Sequence, residues 1–403
     1  MNTELGLQLT TELVMFGMAA LIALGILLHQ PSKTLGVPSL LIFIGIGLLF
    51  GNGEFNFVYD NLTLTSLIGT MALNVIVFVG GLNTSKKSIA VAYKEGGILS
   101  TLGVLFTTVI FGGMLYFIVD FDLLTCLLFA AVVSSTDAAA VFSILESKKL
   151  KLKENTDTVL EFESATNDPV ALLLVAILTE MILSTGATKN AADIGLELAQ
   201  QILVGGLIGY LGGLMCIRLL NRIKLEEFGL IPIFILACFV MSAYGSELLG
   251  GNILIASYIA GVMIGNELKR GKVVSRHFFN SLSWLAQALM FVILGLQFFP
   301  AALVGDMLVA ILPALLLMFI ARPLAIFLSY LPFRKASLQK RLFISAIGLK
   351  GATPIVFALI PAAAGVPGAQ TMMHMVFFIV LISVFVQGWA IDPLAKKLNL
   401  NQS

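Results

Sequence analysis

Charge is scarce in this chain. Only 12% of its 403 residues are Asp, Glu, Lys or Arg, 58% are hydrophobic, and the mean hydropathy is +1.00. So little charge cannot cover a water-soluble surface, and long uncharged runs recur from end to end. The class is therefore an all-α polytopic membrane protein. The three cysteines, Cys126, Cys216 and Cys238, fall singly inside apolar runs, which excludes a disulfide framework or a cysteine metal site and leaves small core hydrophobes. No His/Glu metal pair, nucleophile–base pair or cofactor motif is present, so neither an enzyme nor a cofactor is expected. A channel's repeated filter loop or ring of acids is missing too. With a net charge of +1, no nucleic-acid partner is indicated. The leader is acidic and lacks a small-residue cleavage site, so the first span reads as retained.

What is there is a succession of about thirteen candidate spans, beginning at 13–28 and 36–51 and ending at 342–361 and 371–391. Between them lie spans at 63–82, 97–118, 123–145, 159–183, 194–218, 228–246, 252–266, 281–299 and 305–330. No long linker or soluble domain interrupts the series, so the expectation is one transmembrane domain over 1–403, without a soluble regulatory domain. Residues 271–280 could form a short interfacial helix. Basic residues test the count independently. Outside the spans every Lys and Arg except Lys189 falls on one set of alternate connections, as the positive-inside rule requires only if no span is missed. The N-terminus is expected outside and the C-terminus in the cytoplasm, with lipid as the surrounding partner.

Residues 160–174, LEFESATNDPVALLL, place Glu163 and Asp168 inside such a span. A charge near the bilayer centre costs roughly 2.5–3.5 kcal/mol on insertion scales, so one that is kept there marks a functional site. At ~1.5 Å per residue, Asp168 lies ~14 Å into its span, near the middle of a ~30 Å hydrocarbon core. Ser164 and Asp168 are four residues apart and share a helical face. Pro169 has no N–H and clashes with the carbonyl of Ala165, leaving that oxygen free to accept. With Asn167 these groups make a hard-oxygen cluster suited to a small alkali cation or a proton.

Other charges fall at membrane depth. Asp137 follows Ser134, Ser135 and Thr136 in a string that reads as a helix start in mid-span. Lys350 sits in a span weakened by Gly348, Gly351 and Pro354, and Arg322 lies in a third span. Two interrupted spans in different halves of a chain point to a substrate site built from discontinuous helices. The acids Asp137, Glu163 and Asp168 outnumber the bases Arg322 and Lys350 by one. Two ion pairs, with Glu163 matched to Lys350, leave one carboxylate whose charge a bound proton or cation must balance. That acid is expected to be Asp168, and competition for it would exchange the two ions one for one. The small-residue surfaces at 205–213 and 45–51 read as close helix packing.

At these residues the sequence resembles the bacterial NhaP-type monovalent cation:proton antiporters, especially their potassium/proton cell-volume branch. The matching strings are STDAAAVFSIL at 135–145, LEFESATNDP at 160–169, ARPL at 321–324, LPF at 331–333 and GLKGATPI at 348–355. The resemblance implies two six-span inverted repeats, with two broken helices crossing at mid-membrane. Their halves would be 13–183, carrying the ion site, and 228–391, joined by the span 194–218. It also implies that Thr136, Ser164 and Asp168 contact K⁺ or Na⁺ and that Asn167 orders the site. Glu163 would pair with Lys350 and Asp137 with Arg322. A homodimer in the bacterial inner membrane and an elevator-like motion are further implications. The Asn–Asp pair marks the branch regarded as electroneutral. Many relatives carry an acid before the Gly-Gly of span three, where this chain has Val79; Asn83, a turn on, is placed to substitute in part. The expected function is electroneutral exchange of H⁺ for K⁺ or Na⁺; the alternatives are a cation channel or uniporter, or a carrier of a small organic solute.

Overall fold

In lipid every backbone polar group must be satisfied within the chain, so the apolar runs become helices. The computed structural model describes residues 16, 19–20, 22–23, 26–27, 39–50, 62–137, 141, 145, 151–183, 191–223, 227–297 and 310–401. Within these residues the helices are α1 (Ser39–Phe50), α2 (Leu62–Asn83), α3 (Lys86–Tyr116), α4 (Leu123–Val132), α5 (Thr156–Leu183), α6 (Ala191–Arg222) and α7 (Leu230–Leu248). They continue with α8 (Ile253–Glu267), α9 (Lys272–Gln297), α10 (Ala310–Ser329), α11 (Leu338–Ala346), α12 (Ala352–Ala363) and α13 (Ala369–Lys397). Eight of these runs are long and apolar enough to cross a membrane, and α4, α8 and α12 are shorter apolar helices. The fold is all-helical, as expected; β pairing among the described residues is limited to an isolated bridge between Leu152 and Asn401. Of the expected first span, 13–28, nine residues lie outside the described ones, and the described residues 16, 19–20, 22–23 and 26–27 are helical.

Helix ends carry local signals. The carboxylate of Asp122 caps α4, accepting from the Leu124 and Thr125 N–H groups at 3.1 and 3.2 Å and from the Thr125 hydroxyl at 2.5 Å. Partial burial pushes this carboxyl up, but the bonds from Thr125 and Leu124 outweigh it and hold the group below the usual carboxylate range. Asn252 caps α8 in the same manner. Two helices start earlier than hydropathy indicates. α3 begins at Lys86 and runs 31 residues, ~46 Å, well beyond a ~30 Å core. The segment at 271–280 is likewise no separate interfacial helix, because α9 is continuous from Lys272. In both, charged first turns lie past the hydrocarbon, where water offsets their cost.

Two bodies result. α1, α2 and α6 to α9 pack chiefly on one another, as do α3 to α5 and α10 to α13, and the bodies meet where α5 and α12 lie against α2, α8 and α9. The first body is held by backbone-to-backbone approach. A Cβ added at Gly261 of α8 would sit 2.2 Å from the Phe78 carbonyl oxygen of α2, and one at Gly47 of α1 would sit 2.7 Å from Gly295 Cα of α9. Gly205, Gly209 and Gly213 line the α6 face against α8, while Leu203, Leu207 and Leu211 are exposed on another face, where lipid is the solvent. Gly47 and the glycines of 205–213 that face α8 are therefore packing contacts. Thr84 and Ser85 alone join the two bodies between α2 and α3. Asn266 of α8 pins this crossover, accepting from the Lys86 N–H and donating to the Thr84 carbonyl, both at 2.9 Å, and Glu267 pairs with the Lys86 ammonium.

The second body contains a repeated motif. In the first half come a long helix with a π turn (α3, Leu99–Gly103), a helix that breaks (α4, at 133–137) and a long helix (α5). In the second half come α10 with its π turn Leu317–Ala321, α11 and α12 separated by a break at 347–351, and α13. This recurrence places both breaks and both long helices around one centre.

Candidate ion site

The breaks are built as the sequence suggests. After α4, residues 133–137 leave the helical path, and helical bonding resumes where the Val141 N–H donates to the Asp137 carbonyl at 3.1 Å. The second break follows Ala346 and ends at Ala352. The two are stitched together: the Asp137 N–H donates to the Leu349 carbonyl at 2.8 Å. The Lys350 ammonium donates to the Ser135 and Ser134 carbonyls at 2.7 and 3.2 Å. Those carbonyls lie at the C-terminal end of α4, where the helix dipole is negative and lipid offers no donor, so a cation with three N–H groups fits. Glycine makes the crossing tight enough. A Cβ at Gly351 would overlap the Asp137 carboxylate, and one at Gly348 would lie 2.9 Å from Arg322 Nε.

α5 supplies the other wall. Glu163, Ser164, Asn167 and Asp168 are all buried on it, with Asp168 4% exposed. Glu163 Oε1 accepts from Arg322 Nη2 at 3.0 Å and from Asn167 Nδ2 at 3.2 Å. The same amide nitrogen donates to the Thr136 hydroxyl at 2.6 Å, and that hydroxyl reaches Ser164 Oγ at 3.0 Å. Asn167 thereby ties α5 to the first break. Three oxygens remain over. Asp168 Oδ1, Asn167 Oδ1 and Ser135 Oγ are buried without a hydrogen-bond partner among the described residues. Ser135 lies beside Asp168, and Asp137, Glu163 and Lys350 are the charges that act on the Asp168 carboxylate. Buried acceptors of this kind cost about 1–3 kcal/mol each unless something binds them. A partly dehydrated cation or a proton is what such a set can hold.

All eight residues singled out from the sequence thus converge, but the pairing differs from expectation. Glu163 pairs with Arg322, not with Lys350. The reason is geometric. Arg322 follows directly on the π turn of α10, which re-aims its long side chain into the Glu163 pocket, and Lys350 is drawn to the unwound carbonyls of the first break. The Asp137 carboxylate rests against Gly351 of the second break. Asn83 does not substitute near Val79: its amide donates to Asn280 at the exposed end of α2, at 3.0 Å. Two contributors escaped the sequence reading, Ser383 and Gln387 of α13, which bond the second break. Their one signal is polar spacing of four in an otherwise apolar span.

A profile of the family described as sodium/hydrogen exchanger, transmembrane, matches residues 19–397. Among curated proteins the chain is 37% identical over 379 residues to the K(+)/H(+) antiporter NhaP2 of Shewanella oneidensis, covering 94% of this chain and 66% of that protein. It is 36% identical over 372 residues to the K(+)/H(+) antiporter NhaP of Alkalimonas amylolytica (92% and 64%). The Na(+)/H(+) antiporter NhaH of Halobacillus dabanensis is 28% identical, with 75% of each chain covered. This chain accordingly spans just under two thirds of the length of the first two. Its fold matches the solved structure of the sodium proton antiporter MjNhaP1 from Methanocaldococcus jannaschii, with a TM-score of 0.82, 21% identity, and 96% and 99% of the two chains covered.

Proposed function

Since the chain belongs to the sodium/hydrogen exchanger family, we propose that it is a secondary antiporter that exchanges one H⁺ for one K⁺ or Na⁺ across a bacterial inner membrane. The observation that carries this is the Asp168 oxygen, buried at the crossing of two broken helices and, like the oxygens of Ser135 and Asn167, without a hydrogen-bond partner among the described residues. Asp168 holds the exchanged ion, and Thr136 and Ser164 complete its oxygen shell. Glu163 and Arg322 neutralise each other, Lys350 neutralises the break, and Asp137 stands at the crossing. An empty, ionised Asp168 faces the full cost of a buried charge, so the body carrying it moves only when a cation or a proton occupies that carboxylate. Competition for one group then gives obligatory, electroneutral exchange. The first body acts as the scaffold and dimer surface against which the second moves, with the N-terminus outside and the C-terminus in the cytoplasm. The names of the 36–37% identical relatives favour K⁺ as cargo.

The test is flux through the wild-type chain in proteoliposomes holding a trapped pH dye, with K⁺, Na⁺ and Li⁺ compared across pH. Pulses of K⁺ or Na⁺ are expected to drive proton movement that an imposed membrane potential does not change. Cation movement without counter-movement of protons would assign a channel or uniporter, and no cation-dependent proton flux with any of the three ions would remove the proposal.

A further inference from the structure

We propose that Ser383 and Gln387, on neighbouring turns of α13, are positioning residues for the ion site: they hold the second break in the register that sets Lys350 over the first. The inference rests on the antiport reading above. A break in a membrane helix strands backbone groups on both sides, and no water is available in the hydrocarbon to satisfy them. Here the two stranded groups are the Ala346 carbonyl, at the end of α11, and the Lys350 N–H. The side chains of α13 close both in one relay. The Lys350 N–H donates to Ser383 Oγ at 2.9 Å, the Ser383 hydroxyl donates to Gln387 Oε1 at 2.6 Å, and Gln387 Nε2 donates to the Ala346 carbonyl at 2.9 Å. Because the carbonyl can only accept, the Gln387 amide has one allowed orientation, and the relay is directional. Ser383 and Gln387 are both buried.

The repeated motif gives the arrangement a counterpart. α13 occupies in the second half the place of α5 in the first, and on α5 the pair Glu163 and Asn167, also four residues apart, grips Thr136 of the first break. There the residue after the amide is Asp168; after Gln387 it is Gly388. The second pair is therefore a neutral version of the first: it braces a break without adding a carboxylate, which leaves one ion site per chain. Its effect on that site passes through Lys350, whose ammonium reaches Ser134 and Ser135, immediately before Thr136.

The experiment compares wild type, Ser383→Ala, Ser383→Thr and Gln387→Met in full-length chains reconstituted for cation-driven proton flux, with rate expressed per folded chain. Wild-type exchange tests the antiport reading by itself. Given that exchange, Ser383→Ala and Gln387→Met are expected to raise the apparent KM for the cation at least about fivefold with kcat changed less, the effect of one misplaced hydrogen bond at the site. Ser383→Thr keeps the hydroxyl and is expected to stay within about twofold of wild type. A purely structural role would lower the folded amount and leave KM alone. Gln387→Met is near-isosteric, so it decides the matter if Ser383→Ala fails to fold. KM values within twofold of wild type in the folded variants, or a Ser383→Thr chain as impaired as Ser383→Ala, would overturn the proposal.

Discussion

Asp168→Asn is expected to abolish cation-driven proton flux while the protein still assembles. Asparagine keeps the shape of the side chain and an oxygen that can accept, but it cannot ionise or exchange a proton. At an effective dielectric of ~20, a unit charge 4 Å from a cation contributes about 4 kcal/mol, so cation affinity falls by roughly 10³. Assembly is spared because Asp168 Oδ1 makes no hydrogen bond among the described residues that the substitution would break. The measurement is flux in proteoliposomes alongside the elution profile and melting midpoint of the same preparation. Flux in Asp168→Asn above about a tenth of wild type would place the exchanged ion elsewhere.

Arg322→Met carries the second large effect, and it falls on folding. Arg322 and Glu163 are 1% and 0% exposed, with 3.0 Å between Nη2 and Oε1. Removing one partner of such a pair leaves a charge buried in hydrocarbon, a loss of about 3–5 kcal/mol. Neutralising both is far milder. Glu163→Gln still offers Oε1 to Asn167, so the double variant Glu163→Gln/Arg322→Met is expected to regain most of the melting midpoint that Arg322→Met loses. A cycle of Glu163→Gln with Lys350→Met should show much smaller coupling, because Lys350 bonds to carbonyls. Coupling larger for Glu163 with Lys350 than for Glu163 with Arg322 would restore the pairing that the sequence suggested.

Why that pairing was illegible is instructive. Glu163 is 159 positions from Arg322, and composition offers Arg322 and Lys350 as equal partners for it. The choice is made by a π turn of five residues, Leu317–Ala321, and by the pull of the Ser134 and Ser135 carbonyls. Neither leaves a periodic trace in the sequence. The breaks themselves were legible, because hydroxyls before Asp137 and glycines around Lys350 conflict with a continuous apolar helix. So was the α5 face, where Glu163, Ser164, Asn167 and Asp168 fall at helical spacing in a run that should be uncharged. Hydropathy placed the spans well but cut α3 and α9 short, since it registers the hydrocarbon core and not a helix that continues into water. Ser383 and Gln387 looked like ordinary polar residues because the groups they satisfy, the Ala346 carbonyl and the Lys350 N–H, exist only once the break is formed.

The central claim is that one carboxylate holds either a proton or a cation and never both. It is tested most directly by counting protons released when cation is added to purified protein in lightly buffered solution, near the pH of half-maximal exchange. Wild type is expected to release a substantial fraction of one proton per chain as K⁺ or Na⁺ saturates it, and Asp168→Asn none. Saturable cation binding without proton release, or equal release from Asp168→Asn, would contradict the account.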